Sequence, residues 1–410
     1  MADSLTILTG VSGGVAAYKT VELVSSLRKA GHEVHVVMSP AATRFVTPLT
    51  FAAVSGQPVL DRLWPETRRG ELKEFYPHLY PATEADLFIL APATADMIAQ
   101  VANGLGKDVV STSVLSLPGS CLKFFCPAMN VEMWEQDVVQ ANVHTLASRG
   151  WTRIGPEAGH LACGAEGCGR MSEASDIFTT IQHASENRTA LAGKKVLILS
   201  GPTREHLDPI RYMGNPSSGK MGKAIAEEAR LMGADIDFVS GPVPTAHLPA
   251  AGPALRIHPV VSARDMLGEA DTLFDAADAI IYVAAVADYT PAEYHEDKRP
   301  KQGGDITLAF KATPDIAATL CARKQAHQVA IGFALQTDDG EAAARAKLEK
   351  KNLDAIVLNY MDALGGNSGT YSFINRMNGA KGLQEWGKLD KRTCAQRIMD
   401  AVKTGHASRG

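Results

Sequence analysis

Three side chains in the first half of this 410-residue chain are of types that do acid–base or covalent chemistry. His78 can hold or release a proton near neutral pH. Cys163 can give up a proton or attack as a thiolate. Asn130, within PAMNVEMW (127–134), offers two donors and an acceptor to a planar carboxylate or amide. Each also has an ordinary reading: a solvated loop histidine, a helix cap, and a thiol in the glycine-rich stretch GHLACGAEGCGRM (159–171). Cys163 and Cys168 lack the second Cys or His pair that a zinc site needs, so no metal ligands are identified.

The second half carries cations instead. Gly214, Gly219 and Lys220 reproduce most of the phosphate-loop spacing G-x-x-x-x-G-K-[ST], but Met221 replaces the hydroxyl residue and the motif starts 14 residues past Ser200. A standard phosphate loop is rejected; an anion site at a helix N-terminus stays open. Asn215 and Arg211 lie in that same segment, LILSGPTREHLDPIRYMGNPSSGKMG (197–222). Lys298, Arg299 and Lys301 crowd a polar loop. They are a solvated patch or a lid over a polyphosphate. Lys347 and Lys351, four apart, share one face of a helix that is otherwise an ordinary charged surface.

These side chains need elements to hold them. Apolar runs at 5–9, 33–38, 86–91 and 123–126 read as strands, with a helix over 13–30 ended by Gly31. After a polar stretch (QHASENRTALAGKK) the rhythm restarts, with strands expected at 196–200, 236–240, 279–284, 329–333 and 354–358 and a helix over 219–232. The alternation argues for two Rossmann-like α/β units with parallel sheets. The expected division is 1–183 and 194–405, with a linker at 184–193 and a tail at 406–410. The halves echo each other: ADLFILAPATAD (85–96) against ADAIIYVAAVAD (277–288). Ligands of such sheets collect at the carboxyl ends of the strands. There the first half places Ser12, Gly13 and Gly14, then Ser39 and Thr43, then Ala93 and Thr94. The first turn suits a phosphate, yet G-x-G-x-x-G is absent, so a dinucleotide fingerprint is not met.

In order, SGGVAAYK, HLYPATEADLFILAPATAD, PAMNVEMW and LACGAEGCGRM resemble the flavin-dependent cysteine decarboxylases, and among them the phosphopantothenoylcysteine decarboxylases. The resemblance implies an FMN cofactor contacted by Ser12, Gly13, Gly14, Ser39, Thr43, Ala93, Thr94, Ser111 and Thr112. It also implies an active-site His78, a carboxylate-holding Asn130, and a catalytic Cys163 on a mobile flap. The implied cycle is redox-neutral: the cysteine moiety is oxidised, CO₂ leaves, and the product is protonated and re-reduced.

The second half, through GPTREHLDPIRYMGNPSSGKMG, AAVADY, ATPDIA, GFALQT and KNLDAIVLN, resembles the phosphopantothenate–cysteine ligases. That implies Asn215 and Arg211 at an acyl-nucleotide, Lys298 and Lys301 as loop lysines needed for turnover, and Asp288, Lys298, Pro314, Asp315, Ile316, Ala317, Phe333, Lys347 and Lys351 around CTP, with Mg²⁺ accompanying the triphosphate. The family loop is usually richer in lysine; here Arg299-Pro300 intervenes. Together the resemblances imply 4′-phosphopantothenate, L-cysteine and CTP as substrates. They further imply a homo-oligomer with trimers of the flavin unit, dimers of the ligase unit and a dodecamer overall, the FMN lying near a subunit interface.

Composition sets outer limits. Lys and Arg total 41 against 45 Asp and Glu, so the net charge of −4 disfavours a general nucleic-acid binder. Six cysteines are too few for a disulfide scaffold. No apolar run approaches the ~18–20 residues of a membrane span, and no signal peptide is apparent, so a cytoplasmic protein with no membrane partner is expected. Two other classes compete with the enzyme. A catalytically silent flavin-binding regulator would not need His78, Asn130 and Cys163 together. A nicotinamide-dependent oxidoreductase would be expected to carry G-x-G-x-x-G.

Overall fold

The structure, a computed structural model, describes residues 4–64, 76, 78–160, 164, 166–298, 307–336, 340–376 and 383–409. The chain forms two compact units, residues 1–186 and 187–410.

Among the described residues, the first unit holds a six-stranded parallel sheet. Its spatial order is Val59–Leu60, Glu33–Met38, Thr6–Val11, Leu87–Ala93, Leu122–Pro127, Trp151–Arg153. The strand Leu87–Ala93 is buried at every position. A parallel strand covered on both faces has no solvent side, which is why its sequence is apolar without alternation. The sheet order reverses between Thr6–Val11 and Leu87–Ala93, opening a crevice at their carboxyl ends.

The second unit repeats this order with Leu255–Pro259, Asp235–Ser240, Lys195–Ser200, Ala279–Tyr282, Val329–Gln336 and Ala355–Tyr360. Two further strands, Ser368–Asn375 and Leu383–Asp390, add to it antiparallel.

Several boundaries move. The helix expected from residue 13 begins at Ala17, because residues 12–16 form the turn that carries the chain off the sheet. Residues 184–193, set apart above as a linker, are divided. The helix Ala174–Asn187 runs through their first part, and Leu191 is buried in the core of the second unit. The tail at 406–410 is not loose as far as residue 409. The helix Lys391–Ala407 enters it, and the Arg409 guanidinium donates to the Gln328 carbonyl and pairs with buried Asp354.

Candidate functional site

In the first unit, a cavity of about 990 Å³ opens at the crevice and is lined by Ser12, Gly13, Gly14, Ser39, Thr94 and Asn130. This is the upper end of the ~300–1,000 Å³ usual for small-molecule sites. The loops are tied together from below. Buried Ser12 donates through Oγ to the Pro92 carbonyl at 2.7 Å and accepts from the Thr94 amide at 3.0 Å. Thr94 then caps the helix Ala95–Asn103 by accepting from the Met97 amide at 3.4 Å. Asn130 caps Val131–Glu135, its Oδ1 accepting from the Glu132 amide at 2.8 Å. The capping reading and the cavity reading of Asn130 therefore coexist, since the cap bond fixes the amide at the cavity wall.

Three features of this cavity fit a flavin phosphate and ring. Among the described residues no side chain caps the helix Ala17–Lys29 and its first turn holds no acidic residue, so its dipole favours an anion there, although the Ala17 and Lys19 amides already donate to the Gly14 and Ala16 carbonyls. Gln100 Oε1 is buried at the cavity without a hydrogen-bond partner among the described residues, an acceptor suited to a ring N–H. Gly13 lets the first two loops close on each other: a Cβ there would lie 2.3 Å from the Ala41 Cβ and 2.9 Å from its carbonyl carbon. Gly13→Ala must push these loops apart at a cost of about 1–3 kcal/mol. The purified variant is therefore expected to fold but lose most of its flavin, read as the flavin-to-protein absorbance ratio beside a melting curve. Full flavin content in that variant would contradict the assignment.

Other expected contacts are not brought to this cavity. Thr43 donates to the Pro40 carbonyl at 2.9 Å, closing its own turn. Ala93 is buried in the sheet, its carbonyl accepting from the Ala128 amide. Ser111 is consumed by a reciprocal cap with Asp108, and the buried Thr112 hydroxyl sits outside the lining. His78 is half-buried with its ring edge-on to Tyr76 at 6.3 Å, away from the lining. Cys163 lies outside the described residues. Cys168 is described: burial pushes its thiol pKa up, and it donates to the Pro156 carbonyl. Lys19 was missed. Its buried ammonium reaches the Met171 carbonyl at 3.1 Å and Glu173 at 2.8 Å, holding the end of the glycine-rich segment against the cavity.

A second cavity, about 340 Å³, lies at the carboxyl ends of the strands of the second unit. Asp288, Pro314, Asp315, Ile316, Ala317, Phe333, Lys347 and Lys351 all line it. Thr203 and Thr313 anchor its AAVAD wall: Thr203 Oγ1 accepts from the Ala287 amide at 3.0 Å, and Thr313 Oγ1 donates to the Ala287 carbonyl at 2.6 Å. Asp315 caps the helix Ile316–Cys321 and pairs with Lys351 at 2.9 Å. Burial pushes the Asp315 carboxyl up, but the Lys351 bond, the Ala318 amide and Lys347 outweigh it and hold the group below its usual range. Lys347 donates to the Phe333 carbonyl at 3.1 Å. Burial, then the neighbouring Lys351 charge, pull its pKa below that of an ordinary lysine.

Asn215 does not line this cavity, but its amide donates to the carbonyl of Val286, which does. Arg211 is held on the buried Asp208 carboxylate at 2.5 and 2.9 Å. Lys298 is exposed and away from the lining, and Lys301 lies outside the described residues. Lys220, of the rejected phosphate loop, holds the Gly365 carbonyl and Asn367 instead. Among the described residues, no group of three or more His, Cys, Asp or Glu is placed to hold a metal, and no helix is long and apolar enough to cross a membrane.

Residues 1–186 match the family model described as Flavoprotein, and residues 191–405 match the DNA/pantothenate metabolism flavoprotein C-terminal domain. The chain is 42% identical over 404 residues to the coenzyme A biosynthesis bifunctional protein CoaBC of Vibrio vulnificus (strain CMCP6), covering 98% of each. It is 41% identical over 371 residues to the protein of the same name from Bacillus subtilis (strain 168), covering 90% of this chain and 89% of that one. A crystal structure of the C-terminal domain of a CoaBC protein is 35% identical, with a TM-score of 0.44, covering 52% of this chain and 96% of that chain. The chain thus belongs to the family of bifunctional coenzyme A biosynthesis proteins, with a flavoprotein unit followed by the pantothenate-metabolism domain.

Proposed function

We propose that the second unit joins 4′-phosphopantothenate to L-cysteine at the expense of CTP, and that the first unit decarboxylates the product with FMN to give 4′-phosphopantetheine. The observation that carries the ligase half is the gathering of Lys347, Lys351, Asp315 and Asp288 around one cavity at the carboxyl ends of the strands. Cations there offset the charge of a triphosphate while an anionic carboxylate approaches it. The carboxylate oxygen attacks the α-phosphorus and pyrophosphate leaves. The cysteine amine then attacks the acyl carbon and CMP departs with that oxygen. Asn215, beside the cavity wall, and Arg211 hold the acyl-nucleotide, and the loop lysines Lys298 and Lys301 close over it. Mg²⁺ arrives with the triphosphate, as this ion usually does.

In the first unit, Ser12, Gly13 and Gly14 with the uncapped helix behind them hold the FMN phosphate, and Ser39, Thr94 and Gln100 meet the rest of the cofactor. When bound, FMN supplies the two-electron oxidation that gives the carboxylate's electrons a destination, and later returns the pair. Asn130 orients the carboxylate that is lost. The Cys163 thiol delivers a proton to the carbon left behind. His78 does not line the cavity of its own chain. A homo-oligomer with the flavin near a subunit interface, in the cytoplasm, is the setting in which it serves as acid–base partner.

Substrate labelled with oxygen-18 in the carboxylate tests the ligase half. Label appearing in CMP supports an acyl-cytidylate. Label appearing in inorganic phosphate would instead mean an acyl phosphate and overturn the proposed step.

The pH dependence of this step is expected to carry the mark of Lys347. A lysine with a lowered pKa loses its charge as pH rises through that lowered value. The kcat/KM for the nucleotide should therefore fall at a pH below the ordinary lysine range of about 10.4, and Lys347→Arg should move that limb upward. Superimposable pH profiles for the two proteins would rule out Lys347 as its source.

A further inference from the structure

We propose that Tyr282 determines which nucleobase the ligase cavity accepts: the base lies against its ring, so that a pyrimidine fits and a purine does not. This rests on the reading of that cavity as the nucleotide site. Leu199, Tyr282 and Gly332 are in-register neighbours on three adjacent parallel strands, and all three line the cavity. In-register neighbours project to the same face of a sheet. Tyr282 is the large side chain of that row, and Gly332 beside it has none.

A side chain on the far side of the row would have to displace Leu353. A Cβ at Gly332 would lie 2.6 Å from the Leu353 Cδ1, which also lines the cavity. Lys347 and Lys351 supply the cations of the same lining. Phosphates need those cations, and the base is assigned to the uncharged row of Leu199, Tyr282 and Gly332.

The ring is not free to swing aside. The Tyr282 hydroxyl meets the Cys321 sulfur at 3.3 Å, and Cys321 is buried on the helix Ile316–Cys321, whose first residues line the same cavity. Tyr282 also packs against the apolar clusters on the flanks of its strand. Burial raises the pKa of the phenol further above its ordinary value, so it stays uncharged. At about 340 Å³ the cavity is near the small end for ligand sites. Against a fixed wall, a second fused ring meets a clash, and clashes exclude a competitor more strongly than a missing contact does.

The test is kcat/KM for CTP and for ATP, measured on the full chain with wild-type Tyr282 and with Tyr282→Phe, Tyr282→Leu and Tyr282→Val. Wild type is expected to prefer CTP, and Phe, which keeps the ring, to hold the ratio within about threefold. Leu and Val should lower the ratio about tenfold or more by raising the value for ATP, the scale at which apolar pockets discriminate. An unchanged ratio in folded Leu and Val variants, a ratio that falls only because CTP is used less well, or a wild type that prefers ATP would overturn the inference. Wild type that forms no cysteine conjugate with either nucleotide would instead sink the ligase reading beneath it.

Discussion

Cys163→Ser is expected to stop decarboxylation while ligation continues, so that 4′-phospho-N-pantothenoylcysteine accumulates. Serine keeps the size of the side chain and removes the acidic thiol, so the loss isolates proton delivery. General acids contribute about 10²–10⁴-fold, and a fall of that order is the expected result. The flavin should remain bound, because the groups proposed to hold it lie in other loops, at Ser12–Gly14, Ser39 and Thr94. Liquid chromatography with mass detection separates conjugate from product, and a flavin spectrum recorded alongside shows the cofactor. Loss of both activities would contradict separate sites for the two reactions. Undiminished decarboxylation would remove Cys163 from the mechanism. The neighbouring Cys168 is a poor substitute, since burial raises its pKa and its thiol is committed to the Pro156 carbonyl.

Lys351→Gln should have the second large effect, on the other reaction. Lys351 meets Asp315 at 2.9 Å in the ligase cavity. Removing it takes away a cation and leaves the Asp315 carboxyl, stripped of the bond that chiefly holds its pKa down, facing an anionic substrate. The loss of kcat/KM for the nucleotide is expected at about 10²–10³-fold, the range for one electrostatic stabiliser of a transition state. Decarboxylation of supplied conjugate should be unaffected. A double variant with Asp315→Asn tells repulsion from lost attraction, because removing the unpaired carboxylate should restore part of the nucleotide affinity. If Lys351→Gln used CTP as well as wild type does, the cavity would not be the triphosphate site.

The sequence was most legible where chemistry sits on the ends of sheet strands. Ser12, Ser39, Thr94 and Asn130 follow apolar runs directly, and parallel topology sends such ends to one edge; all four line one cavity. The residues from Asp288 to Lys351 expected around the nucleotide also line one cavity, although Lys347 lies on the helix Glu341–Lys350 and Lys351 at its end rather than on a strand. Ser111 does not line the cavity, and a local bond holds it: Asp108, three residues before it, makes a reciprocal cap, a pattern visible in the spacing. Thr43 likewise closes its own turn. Lys19 escaped because its partner Glu173 is 154 residues away, and no periodicity marks such a pair. Tyr282 escaped because its place in the cavity depends on the register of three strands, which alternation alone does not set. The antiparallel strands Ser368–Asn375 and Leu383–Asp390 went unread, the first interrupted by glycine and the second mostly exposed or half-buried, without a clear apolar face.

The central claim is that one chain carries both reactions in sequence. Mass-spectrometric product analysis of the purified full chain, given 4′-phosphopantothenate, L-cysteine, Mg²⁺ and either CTP or ATP, with the bound flavin identified in parallel, tests it most directly. The account predicts 4′-phosphopantetheine and CMP from the CTP reaction, on protein carrying FMN. Folded, FMN-loaded protein that yields neither the cysteine conjugate nor phosphopantetheine with either nucleotide would contradict it and favour a flavin-binding regulator on the same fold.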